Sequence, residues 1–575
     1  MSRGLKEKAE ALLAAERGTI FKARGADIEI ALAYPNTYHV GMSNLGVHQV
    51  YSVLNRRRDT ACERVFLPDE VDLPEYERSG TRLFSLETGR PVRDFDILAF
   101  SISFEQDYLN VLEMLRLAGI APDRTERTGE DPLLVLGGIC TFFNPEPLAD
   151  LFDVVIVGEG EEVAGEFLDA YKANRGHGRQ ELLRALCSIP GAYIPEFYEI
   201  AYNDDGTVRE RRPLIPEAPA IIKKRRVADI DGKPAATVIL TPDTEFSDMH
   251  LAEVTRGCGR HCRFCMAGYI YLPPRNLSAQ AGQAQAKQAD ERCGKIGLVG
   301  SALSDYPAID DLCSSIQGSL SVSSLRADSL SRPLIERLAK SGHKTIAIAP
   351  EAGSERLRKV INKGITEADI LRAADMVFGA GIPNLKLYFI IGLPTETQED
   401  IDAIIALAEQ VRKVQLRHAR PAGRIGRITL SVNSFVPKPF TPFQWEPMEE
   451  VADLNRKQRH LEKAVKKIGN MNIIHDLPKW ESIQALLSRG DRRVNRLLKA
   501  VHERGGDWKA ACRELKFDMA FYITRQRAFD EVLPWDFIDI GVRKEYLKNE
   551  YTRALEGRYT PPCKVGTCRT CGVCA

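Results

Sequence analysis

The sequence has no apolar run long enough to span a membrane, and its first 18 residues are charged and rich in alanine. A transmembrane helix needs about 20 consecutive apolar residues, and a secretory signal needs an apolar centre. The sequence therefore predicts a cytoplasmic protein with no membrane partner.

A surplus of charge of one sign is also lacking. The chain has 79 Lys and Arg against 79 Asp and Glu, so no global attraction to nucleic acid or to an anionic membrane follows. With 44% hydrophobic and 27% charged residues, the composition is that of a globular protein. A length of 575 residues predicts several domains.

Cysteine is sparse, with 13 residues in 575, but seven of the 13 fall in two tight groups. In a reducing compartment, grouped cysteines indicate metal binding rather than disulfides. The first group is Cys258, Cys262 and Cys265, and the second is Cys563, Cys568, Cys571 and Cys574. Both groups are therefore predicted metal sites.

The first group has the spacing C-x3-C-x2-C and follows a short apolar run typical of a strand. One loop can then place three thiolates at three corners of a [4Fe-4S] cluster and leave the fourth iron open to a ligand. A structural zinc site and three incidental cysteines are the alternatives. Zinc would need a fourth ligand, and His261 is poorly placed between two of the cysteines. The sequence favours the cluster.

This loop resembles that of the radical S-adenosylmethionine (SAM) superfamily, in which an aromatic residue precedes the last cysteine, as Phe264 does here. The resemblance implies that SAM chelates the open iron through its amino and carboxyl groups. It also implies that an electron from the cluster cleaves SAM to a 5'-deoxyadenosyl radical. The electron would come from a reductant such as flavodoxin or ferredoxin.

The first part of the chain, residues 1–188, alternates strand-like and helical patterns. This alternation predicts a doubly wound parallel sheet with helices on both faces. The predicted strands are Ile28–Ala33, Asp96–Ser101, Pro132–Leu136 and Asp153–Val157, and the predicted helices include Leu45–Leu54 and Tyr108–Leu117. Glycine-rich loops, Gly137-Gly138 and Gly158 to Glu162, follow the last two strands, at the edge where such sheets bind ligands.

The order of these loops, with Asn144-Pro145-Glu146-Pro147 between them, resembles the cobalamin-binding domain that precedes many radical SAM cores. Cobalamin domains that ligate cobalt through histidine carry D-x-H-x-x-G, which this sequence lacks. We therefore expect His39 and His48 to be ordinary histidines. Either cobalamin binds without a protein histidine or the domain has the fold without the cofactor.

Residues 189–246 form short alternating runs and predict a β-rich connector. Residues 247–445 repeat strand and helix six times, which fits the partial (β/α)6 TIM-type barrel of radical SAM proteins, with ligands at the carboxyl ends of the strands. The six predicted strands are Leu251–Thr255, Ile296–Val299, Leu320–Ser323, Thr345–Ala349, Leu385–Ile391 and Ile428–Ser434.

The resemblance implies SAM contacts after these strands. Gly300 and Ser301 occupy the position of the glycine-rich loop for the SAM amino group, although the usual Gly-Gly-Glu is absent. Ser323 and Arg326 follow the third strand, and Arg326 offers a fork to the methionine carboxylate. Glu351 would contact the ribose, and the alternative is that it is a residue at a helix N-terminus. Gly392 would contact the adenine, and the alternative is that it is an ordinary turn glycine.

Residues 446–560 predict a mainly helical region, and residues 561–575 a cysteine-rich tail. Five basic residues could form one stripe near Trp480 that suits RNA phosphates, or equally a solvated face: Arg489, Arg492, Arg493, Arg496 and Lys499. In the tail, the C-x4-C-x2-C-x2-C spacing favours a second iron-sulfur cluster over zinc. Four matched thiolates favour an electron relay.

These observations predict a radical SAM enzyme, with no catalytic residue assigned beyond the cluster ligands. Bound cobalamin would make methyl transfer the favoured reaction. The alternatives are an RNA-modifying enzyme of the methylthiotransferase kind and a noncatalytic iron-sulfur or RNA-binding protein. The substrate does not follow from the sequence, because the barrel determines how the radical is made and not what receives it.

Overall fold

A computed structural model describes residues 2–22, 25–423 and 425–574 of the chain. Within these ranges, parallel sheets covered by helices form the two largest parts, and a mostly helical C-terminal region packs on both. In the same ranges, no helix is both long and apolar enough to cross a membrane.

The first sheet has six strands, in the order β2-β1-β3-β4-β5-β6. All neighbouring pairs are parallel except β5 and β6. The strands are β1 (Ile28–Tyr34), β2 (Thr60–Phe66), β3 (Ile97–Ser101), β4 (Leu133–Gly137), β5 (Val154–Ile156) and β6 (Ala192–Tyr193). Six of the seven residues of β1 are buried, as expected for a strand with helices on both faces.

The helices of this part lie on the two faces of the sheet and confirm the predicted doubly wound arrangement. They are α1 (Arg3–Ala15), α2 (Tyr38–Met42), α3 (Leu45–Arg56), α4 (Leu73–Ser79), α5 (Tyr108–Ala118), α6 (Cys140–Phe143), α7 (Gly160–Asn174) and α8 (Arg179–Cys187). The four strands predicted in this region are all present, and β2 is an additional one.

The connector contains an antiparallel hairpin of β7 (Tyr198–Tyr202) and β8 (Val208–Pro213), which turns at the Asn203-Asp204-Asp205-Gly206 segment. A short strand, β9 (Ile222–Lys223), follows. The residues just after β9 run along the end of the first sheet, where Arg225 pairs with Gly158.

The second large part contains two four-stranded sheets, in the orders β11-β10-β12-β13 and β14-β15-β16-β17. Their strands are β10 (His250–Arg256), β11 (Arg275–Asn276), β12 (Lys295–Gly300), β13 (Ser319–Val322), β14 (Thr345–Glu351), β15 (Asn384–Ile391), β16 (Ile428–Ser434) and β17 (Met471–His475). A single parallel bridge, from Leu325 to Ile348, joins the two sheets. The six predicted strands are present, and β17 adds a seventh parallel strand from beyond the predicted barrel.

Helices follow these strands, and several of them begin with a side-chain cap. Capping boxes at Thr366 and Thr397 start α14 and α15, and the backbone N–H of each threonine donates to the aspartate three residues on at 2.8 Å. The helices are α9 (Ala267–Ile270), α10 (Ala279–Arg292), α11 (Ile309–Ser315), α12 (Arg332–Lys340), α13 (Glu355–Val360), α14 (Glu367–Gly379), α15 (Gln398–Ala422) and α16 (Val451–Val465).

The C-terminal region is mainly helical, as predicted. It contains α17 (Pro478–Arg489), α18 (Val494–Glu503), α19 (Trp508–Leu515), α20 (Ala520–Ile523) and α21 (Lys544–Leu555), and a short strand, β18 (Ile538–Asp539), that pairs with β9.

The predicted basic stripe is wrong, both as an RNA surface and as a solvated face. Its residues lie on two helices and the turn between them, and most of them pair with acidic groups. Arg492 bonds to Glu146, and Lys499 bonds to Asp123 at 2.6 Å, both carboxylates of the first part. The others divide as follows: Arg489 is fully buried, Arg493 pairs with Asp491, and Arg496 is exposed.

Candidate functional site

The cysteine loop begins directly after β10, at the carboxyl end of the strand. Gly257 makes the turn with a φ of 82°, and a Cβ there would lie 2.6 Å from the Tyr271 carbonyl oxygen, so glycine is required. Cys262 is buried, and Cys258 and Cys265 are partly buried. The structure therefore brings the three cysteines to the end of a strand, as the sequence predicts for ligand-binding loops of this fold.

Ion pairs hold the loop from the side of the following strands. Arg260 donates to Asp305 after β12 at 2.7 Å and to Asp328 after β13 at 2.9 Å. The backbone between the cysteines is held as well, because Asn362 donates to the carbonyl oxygen of His261 at 3.1 Å. Position 261 has a φ of 54°, a left-handed conformation that is uncommon for residues other than glycine.

Arg263, between the last two cysteines, anchors the loop to the C-terminal region. Its side chain is fully buried and contacts the Glu550 carboxylate of α21 at 3.0 and 3.1 Å. It also donates to the carbonyl oxygens of Lys359, Val360 and Arg558. A buried guanidinium with a carboxylate partner and three carbonyl acceptors strongly restricts the position of the loop.

The chemistry of the loop fits an iron-sulfur cluster. Three thiols on one short loop are the donor set that such clusters use, and ligation requires their thiolate forms. Burial raises the pKa of Cys265 to about 12, so the thiol alone stays protonated. Two cations, Arg326 and Lys363, lie close enough to Cys262 to interact with its charge.

No three Cys, His, Asp or Glu side chains of the described residues are grouped as ligands for a single metal ion. This finding concerns one ion, whereas a cluster presents several irons to its ligands.

A cavity of about 890 Å³ lies at the carboxyl ends of β14 to β17, beside the cysteine loop. Phe264 of the loop and Glu351 line it from the barrel side. Phe104, from the loop after β3, and Trp480, from α17, line it from the other parts of the chain. The mouth of the partial barrel is therefore a shared cavity to which the first part, the barrel and the C-terminal region all contribute.

Glu351 is the last residue of β14 and lines this cavity. Its φ of 68° and a register shift in the pairing with β15 mark a local irregularity, and strain of this kind clusters at functional sites. Helix α13 is capped by Ser354, so Glu351 does not belong to the first turn of a helix. Lys363 contacts the Glu351 carboxylate at 3.0 Å. The helix-terminal alternative for Glu351 therefore has no structural basis.

The other predicted SAM contacts lie near the mouth but not on the wall of this cavity. Gly300 ends β12, with Thr255 as its neighbour, and the backbone N–H of Gly392 donates to Glu396 at 2.9 Å. The Arg326 guanidinium already donates to Asp328 and to the Lys363 carbonyl oxygen. Ser301 follows β12 and Ser323 follows β13, where its neighbour Ser324 reaches the cavity. Their SAM contacts stay predictions.

A buried network joins the first part to the cysteine loop. Glu159, in the loop after β5, accepts from Arg256 at 2.8 Å and from Arg275 twice at 2.8 Å. Burial would raise the pKa of Glu159, but hydrogen bonds from Arg275 and the charge of Arg256 hold it at about 2. Arg256 lies two residues before Cys258, so the acidic loop of the first part fixes the start of the cysteine loop.

A second cavity, of about 540 Å³, lies between the first sheet, α3 and α7, and it reaches Arg256. Its walls are largely apolar, with Val50, Leu54 and Phe167 among them. Gly158 also lines this cavity. Its lack of a Cβ admits the Arg225 backbone, which a Cβ there would meet at 2.4 Å.

The two histidines of the first part are ordinary, as predicted. His39 is exposed and bonds to Asp243 at 2.9 Å. His48 is buried and contacts the Met42 carbonyl oxygen, and burial lowers its pKa to about 4. Neither residue lines the apolar cavity.

The tail lies against the cysteine loop. The Cys563 N–H donates to the Gly259 carbonyl oxygen at 2.7 Å. Cys571 is buried, and its carbonyl oxygen accepts from the Arg543 N–H at 2.9 Å. The structure therefore brings together two cysteine groups that are about three hundred residues apart in sequence.

Three site residues were missed from the sequence: Lys363, Phe104 and Arg263. Lys363 follows α13 in the segment Asn362-Lys363-Gly364, whose first and last residues have positive φ, so the N-x-G pattern was a local signal for a tight turn at the mouth. Phe104 and Arg263 carried no comparable signal, since their roles depend on distant partners.

Two family models match the chain. The model for the N-terminal region of radical SAM proteins matches residues 46–195, and the model for the radical SAM superfamily matches residues 252–408. The second match contains the cysteine loop and five of the seven parallel strands of the barrel.

Curated relatives agree with these matches. An uncharacterized protein of Methanocaldococcus jannaschii is 31% identical over 480 residues, which is 82% of this chain and 90% of the relative. An uncharacterized methyltransferase of Pyrococcus horikoshii is 24% identical over 49% of this chain and 59% of the relative. A tRNA-2-methylthio-N(6)-dimethylallyladenosine synthase of Jannaschia sp. is 26% identical over 37% of this chain and 53% of the relative. The chain thus spans little more than half the length of the last two.

Among solved structures, the chain is similar to the cobalamin-dependent radical enzyme OxsB, with a TM-score of 0.46 and 15% identity over 92% of this chain and 79% of that chain. The radical methyltransferase TsrM of Kitasatospora setae has a TM-score of 0.43 and 14% identity over 70% of this chain and 74% of that chain. The family matches and the relative that covers most of the chain decide the assignment: the protein belongs to the radical SAM superfamily, whose enzymes use a [4Fe-4S] cluster and SAM.

Proposed function

We propose that Cys258, Cys262 and Cys265 hold the [4Fe-4S] cluster and that SAM and a substrate occupy the mouth cavity. The observation that carries this proposal is the cysteine loop at the end of β10, with Phe264 on the wall of that cavity. When bound, the cluster and SAM supply a 5'-deoxyadenosyl radical.

Residues around the mouth cavity would bind and orient SAM and contact the substrate. Glu351 and Lys363 form an ion pair at 3.0 Å, and the neighbouring Asn362 bonds to the cysteine loop, so their carboxylate and ammonium groups lie near it and suit the ribose hydroxyls and the carboxylate of SAM. Phe104 and Trp480 line the cavity from the other parts of the chain and would contact the substrate.

Anaerobically reconstituted protein should cleave SAM to methionine and 5'-deoxyadenosine when a reductant is added. Cys258→Ala should abolish this turnover, and Cys313→Ala, in a buried cysteine away from the loop, is the matched control. A triple alanine variant of the loop that remained fully active would refute the proposal. Cluster absorbance without SAM turnover would favour the noncatalytic alternative.

Methyl transfer with cobalamin is the second candidate. It is supported by the apolar cavity of about 540 Å³, which adjoins Arg256 and Glu253 of β10 and so lies next to the cysteine loop. Apolar walls suit the benzimidazole end of cobalamin, and the lining contains no histidine, consistent with binding that does not use one.

Cobalamin content separates this candidate from other radical chemistry. Protein produced with supplemented cobalamin should retain the cofactor, and Ala164→Trp, which fills the cavity, should lose it while keeping its iron. Cobalamin-free protein after supplementation would remove the methyl-transfer candidate. Methylthiolation of RNA is then the alternative, supported by relatives that match about a third of the chain.

A further inference from the structure

The cysteine-rich tail docks on the cysteine loop through backbone contacts. A Cβ added to Gly259 would lie 3.2 Å from the Cys563 Cβ, so the residue after Cys258 touches the first tail cysteine. Asn362 strengthens the junction, since its side chain donates to the carbonyl oxygens of both His261 and Thr560 at 3.1 Å. These contacts fix the tail beside the predicted cluster ligands.

Two of the four tail thiols open onto one cavity. The cavity, of about 1020 Å³, is lined by Cys563 and Cys568 and by Tyr546 of α21. Cys571 and Cys574 follow Cys568 at the spacing of the ferredoxin-like C-x2-C-x2-C run, so the tail supplies four thiols within a short segment next to this cavity.

The buried side chain of His261 also indicates that a ligand occupies this cavity. Its imidazole is only 4% exposed, lines the cavity, and has an Nδ1 with no hydrogen-bond partner. A buried polar nitrogen without a partner is costly unless a ligand satisfies it. Phe264, three residues on, lines the mouth cavity instead, so the cysteine loop separates the two cavities.

We propose that the four tail cysteines hold a second iron-sulfur cluster and that electrons enter the catalytic site through it. A one-electron protein reductant of the flavodoxin or ferredoxin class would reduce the tail cluster. The same electron would then pass to the cluster of the cysteine loop, where it breaks the sulfur–C5' bond of SAM to give methionine and the adenosyl radical. This proposal rests on the proposed function, since the electron must pass from the tail cluster to the cluster of the cysteine loop.

The surface around the tail suits an acidic electron carrier. Residues 541–575 include seven Lys or Arg and three Glu. Arg558, Lys564 and Arg569 are exposed. A local surplus of positive charge steers an acidic partner to the tail.

The first test needs no variant. The reduced full-length protein should contain about eight irons and eight sulfides per chain if both sites carry [4Fe-4S] clusters. Its electron paramagnetic resonance spectrum should show two signals broadened by mutual spin coupling, because the two sites touch. Four irons with one zinc, or two uncoupled signals, would overturn the proposal.

The second test compares variants. The Cys568→Ser/Cys571→Ser protein should keep the catalytic cluster signal, lose about half its iron, and show a single unbroadened signal. Its SAM cleavage should fall at least tenfold with reduced flavodoxin and stay within twofold with dithionite. Cys293→Ser/Cys512→Ser, in two partly buried cysteines elsewhere, is the matched control.

Equal loss with both reductants, or no loss with flavodoxin, would contradict the electron-entry role. Failure of the proposed function is distinguishable from these outcomes. In that case Cys258→Ala would still cleave SAM, whichever reductant is used.

Discussion

Replacing Glu159 by glutamine is expected to destabilise the protein by about 3 kcal/mol, the lower end of the cost of breaking a buried ion pair. Glu159 and both of its arginine partners are at least nine-tenths buried. Arg256 keeps Glu161 and Glu253 as partners, but Arg275 keeps only carbonyl acceptors. The cost is therefore mainly that of an uncompensated charge on Arg275.

The pKa of Glu159 gives a second measure of how much its charge contributes to the free energy of unfolding. A folded pKa of about 2 lies below the ordinary value of 4.5, so ionisation stabilises the fold by about 3 kcal/mol. Because the folded pKa is lowered, this stabilisation is complete above the unfolded pKa and is lost as pH falls from about 4.5 towards 2. Between pH 5 and pH 8 the difference between the wild type and Glu159→Gln should be constant.

Urea unfolding of the anaerobic protein, followed by circular dichroism, measures this difference. Exposed Glu336→Gln is the control and should change the free energy of unfolding by less than about 0.5 kcal/mol. A Glu159→Gln protein as stable as that control would refute the reasoning, as would a difference that shrinks when pH rises from 5 to 8.

Two further predictions concern the mouth and its support. Lys363→Met should weaken SAM binding about tenfold, or about 1.4 kcal/mol, with the cluster absorbance retained, because it removes the ammonium group that pairs with Glu351 at the mouth cavity. A calorimetric SAM affinity equal to that of exposed Lys340→Met would contradict this. Gly353→Ala should cost about 1–3 kcal/mol in urea, since its Cβ would lie 2.3 Å from the Ile404 backbone nitrogen of α15. Gly176→Ala, which meets nothing within 4 Å, is the control, and equal stability of the two would argue against a fixed α15.

The parts of the fold that the sequence predicts well are those with local signals. The six barrel strands are apolar runs bounded by turns, and the cysteine loop is defined by spacing alone, so both follow from short segments. Strand β17 was missed because its residues, Met471 to His475, alternate between half-buried and exposed and give no apolar run. Its position depends on pairing with β16, which no local pattern encodes.

The misassigned basic stripe failed for a related reason. Helical periodicity places Arg492 and Lys499 near one another, but their partners, Glu146 and Asp123, are more than 340 residues away in sequence. A charge that looks solvated on its own helix can be neutralised by a distant domain. The contact between Cys563 and Gly259 is likewise long-range, and only the structure reveals it.

The single bridge from Leu325 to Ile348 makes the junction between the two sheets the weakest line in the barrel wall. Parting the two four-stranded sheets there breaks one or two backbone hydrogen bonds, at about 1 kcal/mol each, whereas β15 and β16 are held by seven paired residues. Ser324 and Glu351 lie at this weak line and line the mouth cavity. A large substrate in the mouth cavity would therefore separate the two sheets along this line before it disrupted the pairing within either sheet.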